Sequence, residues 1–374
     1  METNIEWVLP ESLPEGVLKK FSLLFSTYAS SQLIRNVETQ IRIIKVSDNL
    51  YFPVSVNNTE WNNSYVCSPY TAYVLYAKDE LTRKVKNKLL QFPLLLLIQG
   101  ISGWLKSAQI NKNIHVNNFL LSTNPYPDWN GEHLDALTNF LKDQYPEHAI
   151  IFRSLNRYQH SHLLTQFKNN TYYLIGSRQV YMYDDPFEKW LSHNNNKQDK
   201  RIIKNKKLQY VSHEDMKKYL PEALDLYNQL YLEKYSPHNP QFTLEYFQKM
   251  YDNDVIHFQG YINSDNQLKA FSGLFVIENT ITSPLVGYDT KAPQKDALYI
   301  HAIQLIFEYK YRSGKLLNLS SGAPGFKRLR GGLPSIEYSA VYLNHLKIYR
   351  RIVYKVLQFI TNKIGIPLLE KYEL

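Results

Sequence analysis

Three strand-like runs stand in succession with no helix between them, and a helix that is apolar nearly all round follows at once. The runs are Val255–Ile262, Lys269–Ile277 and Thr280–Tyr288, separated by the turn residues Asn263-Ser264-Asp265-Asn266 and Glu278-Asn279. The helix covers Ala297–Arg312, and two further strands are expected at Leu316–Leu319 and Tyr338–Leu343. Antiparallel strands leading into a helix and another strand build a mixed sheet. A helix without a polar face must then lie buried against that sheet.

The first half repeats this order of elements without repeating its residues. Leu18–Leu33 has helical apolar spacing, and strands at Ile41–Val46 and Tyr51–Val56 flank Ser47-Asp48-Asn49. Leu81–Trp104 reads as mostly helical despite Pro93. Strand Ile114–Ser122, helix His133–Gln144, strand Ala149–Arg153 and helix His160–Lys168 follow. Gly176-Ser177 signals a hairpin between Thr171–Ile175 and Arg178–Tyr183. Between the halves, Ser192–Gln209 carries three consecutive asparagines and six Lys/Arg, the pattern of an exposed connection. The expected class is α/β, with two mixed-sheet domains in tandem and helices on both sheet faces. Their expected limits are 1–191, a linker at 192–209, and 210–374, in keeping with about two to three domains for 374 residues.

A hydrophobic share of 44% with 14% aromatics rules out a disordered chain. The single cysteine, Cys67, rules out an internal disulfide framework and a cysteine-cluster metal site, and no metal is expected. The first residues, METNIEWVLPESLPEG, have neither the basic nor the apolar region of a secretory signal, so the cytoplasm is the expected compartment. The most apolar stretch, Leu89–Leu105, is interrupted by Gln91, Pro93, Gln99 and Gly100 and reads as a buried helix of a soluble domain. The formal charge of +9 favours anionic partners, whether phosphates, an acidic carrier protein, RNA or lipid headgroups.

Several segments resemble the GNAT acyltransferase superfamily, in its two-domain branch related to the Fem-type aminoacyltransferases. They are Gly287-Tyr288-Asp289, LLNLSSGAPGFKRLRGGLPSIEYSAVYL at Leu316–Leu343, SPYTAYVLYAKDEL at Ser68–Leu81, FRSLN at Phe152–Asn156 and SRQVY at Ser177–Tyr181. The resemblance covers nearly the whole chain and implies N-acyl transfer from acyl-CoA or an acyl-carrier thioester to a small amine held between the domains. The glycine-rich loop of such domains, before the long helix, is replaced here by Thr290–Ala297, which has no glycine. A carrier-protein thioester or a charged tRNA therefore enters beside acyl-CoA as donor, and a degenerate binding module as a third reading. The long heptad hairpin of Fem enzymes is missing, which counts against tRNA, and DNA is not an expected partner.

Four of the 14 glycines, Gly322, Gly325, Gly331 and Gly332, fall around Lys327, Arg328 and Arg330. Glycines that admit a close ligand, beside cations that bond phosphate, make Gly325, Lys327, Arg328 and Arg330 the expected donor-binding residues. Acyl transfer to an amine needs a base, donors for the oxyanion and an acid for the departing thiolate. Tyr288, Asp289, His301 and Glu337 are the expected catalytic residues, by their position around the third strand and the glycine cluster. His301 also fits a hydrogen-bonded core histidine, and Asp289 a turn residue. Arg153, Asn156 and Arg178 read equally as groove-lining or as buried strand residues. No GxSxG, P-loop, HExxH or GxGxxG pattern occurs. In Leu346–Lys363, Lys347, Arg351 and Lys355 recur at steps of four beside an apolar stripe. That helix suits docking on an acidic carrier or an anionic membrane surface, or simple packing on the sheet with solvated cations.

Overall fold

The computed structural model describes residues 5–205 and 208–372. Its strands are β1 (Glu6–Val8), β2 (Gln40–Ser47), β3 (Leu50–Asn57), β4 (Asn113–Val116), β5 (Ala149–Asn156), β6 (Tyr173–Tyr183), β7 (Gln209–Val211), β8 (His257–Ile262), β9 (Leu268–Ile277), β10 (Thr280–Tyr288), β11 (Leu316–Asn318) and β12 (Leu333–Tyr342). The chain divides into two compact units. Met1–Gln179, His238–Pro240 and Ser335–Leu374 make the first; Val180–Pro237 and Gln241–Pro334 make the second.

In the first unit the strand order is β1-β2-β3-β4-β5-β12-β6. The strands β1 to β4 are antiparallel neighbours, β4 and β5 are parallel, and β5 and β12 are antiparallel. Alternation along β5 divides its side chains between two cores. Ile150 and Phe152 join Ile44, Phe52 and Val116 under the helices Leu134–Gln144 and Arg157–Asn169. Ala149 and Ile151 join Val341, Leu343, Tyr354 and Leu357 on the other face. Both faces are covered, as expected where a sheet contains parallel strands.

The second unit is ordered β6-β11-β10-β9-β8-β7, with β10 and β11 parallel and the neighbours from β10 to β7 antiparallel. The expected buried helix is present at Leu298–Ser313, and its Ala302, Ile303, Ile306 and Phe307 pack on Ala270, Leu274, Ile281 and Leu317. Gly314, at φ 70°, ends it in the left-handed conformation that glycine adopts most readily. Mixed pairing, with helices packed on the strands, recurs in each unit and matches the expected class.

Four sequence expectations differ from the structure. The domain limits at 191 and 210 are replaced by a unit built from both ends of the chain. Its cause is the pairing of β12 with β5, from Glu337↔Asn156 to Tyr342↔Ile150, which carries the last strand and the terminal helix into the first unit. The expected linker is largely a helix, Asn194–Asn205, held in the second unit by its buried face. There Asp199 accepts from Arg330 Nε at 2.5 Å and Nη2 at 2.8 Å, while Asn196 Nδ2 donates to the carbonyls of Trp190 and Arg330. Lys206 and Lys207 of that stretch lie outside the described residues. The expected hairpin at Gly176 is one continuous strand. Gly176 makes room rather than a turn: its N–H donates to Asn362 Oδ1, and a Cβ there would meet Ile366 at 2.8 Å. Finally, the apolar helix Lys88–Ser107 is mostly exposed, with Leu105 its buried residue.

Two predictions concern buried titratable groups. Asp199→Ala leaves the Arg330 guanidinium enclosed without its counter-charge and should cost about 3–5 kcal/mol in urea unfolding. The double change Asp199→Leu, Arg330→Met should recover most of that loss. In the first unit, His160 Nδ1 accepts the Asn156 N–H at 3.2 Å, which requires an unprotonated nitrogen, and burial holds the imidazole down at about 4. An unfolded histidine takes up its proton near 6.5. The stability contributed by neutral His160 is therefore complete above that pH and is lost as pH falls towards 4, to a total of up to about 3 kcal/mol. The His160→Gln protein should show a flatter decline of Tm between pH 6.5 and 4 than the parent.

Candidate functional site

In each unit the strand order turns from antiparallel to parallel, at β4–β5 in the first and β10–β11 in the second, and ligands of open α/β sheets sit beyond the carboxyl ends of such strands. In the first unit, β4 pairs with β5 only from Asn113↔Ala149 to Val116↔Phe152. The next residue of β5, Arg153, begins the segment that β4 no longer covers. The loop after β4 bends over this end: Asn124 N–H donates to Ser154 Oγ at 3.0 Å, and Tyr126 Oη donates to the Arg153 carbonyl at 2.7 Å.

Three strands deliver charge to that point. Arg178, on β6, donates from Nε to Glu337 Oε1 at 2.9 Å and from Nη2 to Oε2 at 3.3 Å, and Nη2 also reaches Thr123 Oγ1 at 2.8 Å. The Arg178 side chain keeps 17% of its surface exposed and Glu337, on β12, only 3%. Arg153 Nη1 donates to the Val66 carbonyl, and Nη2 lies 3.5 Å from that of Ser122. Two guanidiniums thus lie in one cluster whose carboxylate, Glu337, is ion-paired with Arg178. Burial, and then the neighbouring Arg178, depress the basicity of Arg153, whereas in Arg178 the cost of burial is outweighed by Glu337 and the phenols. Tyr65, Tyr73 and Tyr76 complete the surroundings, and burial raises each phenol above its ordinary value. They therefore stay protonated at neutral pH. Cys67 is buried, with its thiol pushed up to about 12, so it supplies no thiolate nucleophile.

The second unit repeats the opening. Only Thr280–Thr282 of β10 pair with β11, and β10 runs on to Tyr288. Gly287 is required there, because a Cβ would fall 2.7 Å from the backbone of Leu226 and 2.5 Å from Phe271. Tyr288 Oη accepts from Lys234 Nζ at 2.9 Å, and its ring lies 5.7 Å from that of Tyr299. Asp289 is a turn residue: Oδ1 accepts the Lys291 N–H, and Oδ2 pairs with Lys269 at 3.3 Å.

The expected site residues are divided between the two units. Glu337 belongs to the first unit, while Tyr288, Asp289, His301 and the Gly325–Arg330 segment belong to the second. His301 is wholly enclosed, with Nδ1 against the Ala297 carbonyl at 3.0 Å and its ring edge-on to Tyr261. It is a core histidine of the buried helix. Glu337 is the counter-charge of Arg178 and has both oxygens engaged. Lys327 is buried, and its ammonium donates to the carbonyls of Leu319, Ser320 and Ser321, which uses all three of its hydrogens. Arg330 is committed to Asp199. These two expected phosphate ligands instead hold a glycine-rich turn together; Gly325 remains exposed and Arg328 half-buried. Tyr65 and Tyr73 went unrecognised as site residues, although Tyr73 lies in SPYTAYVLYAKDEL. Among the described residues no group of three or more His, Cys, Asp or Glu could hold a metal ion.

No protein-family model and no curated protein matches the chain. Solved structures do. A tandem GNAT protein from the clavulanic acid biosynthesis pathway is 8% identical, with a TM-score of 0.43 over 91% of this chain and 98% of its own. FemX is 10% identical, with a TM-score of 0.45 over 61% of this chain and 80% of its own. L-PGS from Bacillus licheniformis is 16% identical, with a TM-score of 0.41 over 61% and 76%. The solved structures to which this chain is similar thus include a tandem GNAT protein and a GCN5-related N-acetyltransferase from Sphaerobacter thermophilus, the latter 11% identical with a TM-score of 0.33 over 62% of this chain and 72% of its own.

Proposed function

We propose that the protein is an acyltransferase of the GNAT type, and that Arg153 and Arg178 hold the anionic end of one of its substrates. One observation carries the reading. The segments that resemble the tandem GNAT branch are scattered along the chain, yet FRSLN supplies Arg153, SRQVY supplies Arg178, SPYTAYVLYAKDEL supplies Tyr73 and Tyr76, and the β12 segment supplies Glu337. In the fold these residues meet in one cluster at the sheet's opening, with one positive charge more than its ion pair neutralises. A partly buried surplus charge is costly unless an anion answers it. A carboxylate or phosphate matches a guanidinium fork in two parallel bonds.

The reaction is direct transfer. The amine nitrogen attacks the thioester carbonyl, the C–N bond forms as the C–S bond breaks, and the nitrogen loses the proton that the thiolate must gain. Protonated phenols beside the cations suit an oxyanion donor or the acid that meets the leaving sulfur. Acyl-CoA or an acyl-carrier thioester is the donor in this reading, with a small amine as acceptor.

The test is thiol release from acetyl-CoA across a panel of small amines, with Arg153→Gln as the decisive variant because Arg153 forms no part of the Arg178–Glu337 pair. Loss of one charge-assisted contact of about 1.5–3 kcal/mol should lower kcat/KM roughly ten- to a hundredfold. Glu337→Gln should instead lose stability first, since it strands Arg178. Wild-type kcat/KM in Arg153→Gln would overturn the site. Absence of thiol release, together with deacylation of charged tRNA, would move the protein to the aminoacyl-transferring reading.

A further inference from the structure

Two helices of the first unit expose apolar side chains that the fold leaves uncovered. In Lys88–Ser107, Leu89 is 89% exposed, Phe92 65% and Trp104 58%, and Leu96 lies on the same stripe. In the terminal helix, Ile348 is 72% and Phe359 62% exposed, with Ile352 between them. The helices are neighbours, for Ile101, Trp104 and Leu105 line a small recess together with Val353, Val356 and Leu357. By length and composition both could cross a membrane, yet only 6% and 11% of their most apolar windows are buried in the fold. A helix that belonged to the core would have that stripe covered.

Charge decides what lies against this face. No acidic residue occurs from Lys84 to Ser107 or from Lys347 to Gly365. Lys347 and Arg351 precede two members of the exposed stripe, Ile348 and Ile352, and Lys355 follows one turn on, so exposed Lys347 and Lys355, with half-buried Arg351 between them, form a row of cations beside the apolar row. Lys86 and Lys88 stand exposed at the start of the other helix. A second copy of the chain docked through this face would bring cation rows together. A bilayer rich in acidic lipid offers apolar depth and negative headgroups at once.

We propose that this face docks on an anionic lipid surface, with both helices lying in the interfacial plane. They lie on the bilayer rather than span it, because the terminal helix is tied to the unit along its inner side. Arg350 donates from Nε to the Ala108 carbonyl at 2.7 Å, Tyr354 Oη to that of Ile110 at 3.1 Å, and Gln358 and Asn362 to that of Leu174. The exposed stripe of the first helix, Leu89 to Trp104, is roughly 22 Å long. Trp104, with its apolar body and polar N–H, sits at one end of it, the position that indole favours at a membrane boundary. The proposal does not depend on the acyl-transfer reading, since it concerns attachment and not turnover.

Flotation of the full chain with vesicles tests it, using phosphatidylcholine with and without phosphatidylserine. The parent should float with the acidic vesicles at low salt and lose most of that binding at high salt. Lys347→Gln, Arg351→Gln and Lys355→Gln together should weaken binding about a hundredfold, at roughly fivefold per cation near the surface. Phe92→Ser with Leu96→Ser should weaken it by at least tenfold, and both variants should keep the parent's Tm. Failure of the parent to float, equal flotation with pure phosphatidylcholine, or undiminished binding in both variants would overturn the proposal. So would capture of an acidic carrier protein by the parent without any flotation.

Discussion

The antiparallel pairing of β12 with β5 is the contact on which the rest of the first unit depends. It joins residues nearly two hundred positions apart, from Glu337↔Asn156 to Tyr342↔Ile150. Through it Val341 and Leu343 complete the second face of the sheet, and the terminal helix finds its bed on Ile110, Ala149 and Ile151. The order β5-β12-β6 sets Glu337, on β12, within reach of Arg178 on β6, so the ion pair of the candidate site is a consequence of strand order. Without β12, Arg178 would stand on its strand with no carboxylate to meet it.

The basic balance of the chain has a second meaning inside the fold. Arg350 is buried with its guanidinium spread over the carbonyls of Ala108, Gln109 and Lys112, and it also donates to that of Glu147. Lys327 does the same for three carbonyls of one turn. These cations work as hubs for backbone oxygens that would otherwise go without donors, at helix ends and turns where regular pairing stops. Part of the surplus of +9 is therefore structural, and the cations that face solvent or a partner are fewer than the formal charge suggests.

Local patterns were the legible part of this protein. The succession of β8, β9 and β10 before an all-round apolar helix is written in periodicity and turn residues, and so is the class of fold. Pairings between distant strands have no local signature, which is why the domain limits came out differently and why Glu337 was grouped with the residues of the third strand rather than with Arg178. The cluster Lys327–Arg330 misled for a related reason. Glycine beside a cation reads the same whether the charge meets phosphate or the protein's own carbonyls, and only the buried Asp199, on a stretch rich in lysine and asparagine, separates the two. Arg153 and Arg178 were visible as strand cations, but their company was not.

The unit built from both ends also orders events in time. Chains emerge from the ribosome beginning with the N-terminus and tend to fold domain by domain. Here residues 5–179 are made long before 335–342, so β5 and β6 must wait while the entire second unit is synthesised. During that interval the place of β12 is vacant, and an open strand edge is a template for any other chain with pairing groups to spare. Contacts of such long sequence separation also slow the search for the native state. Newborn copies thus spend a vulnerable interval before the final strand arrives, when chaperone capture and misassembly compete with completion.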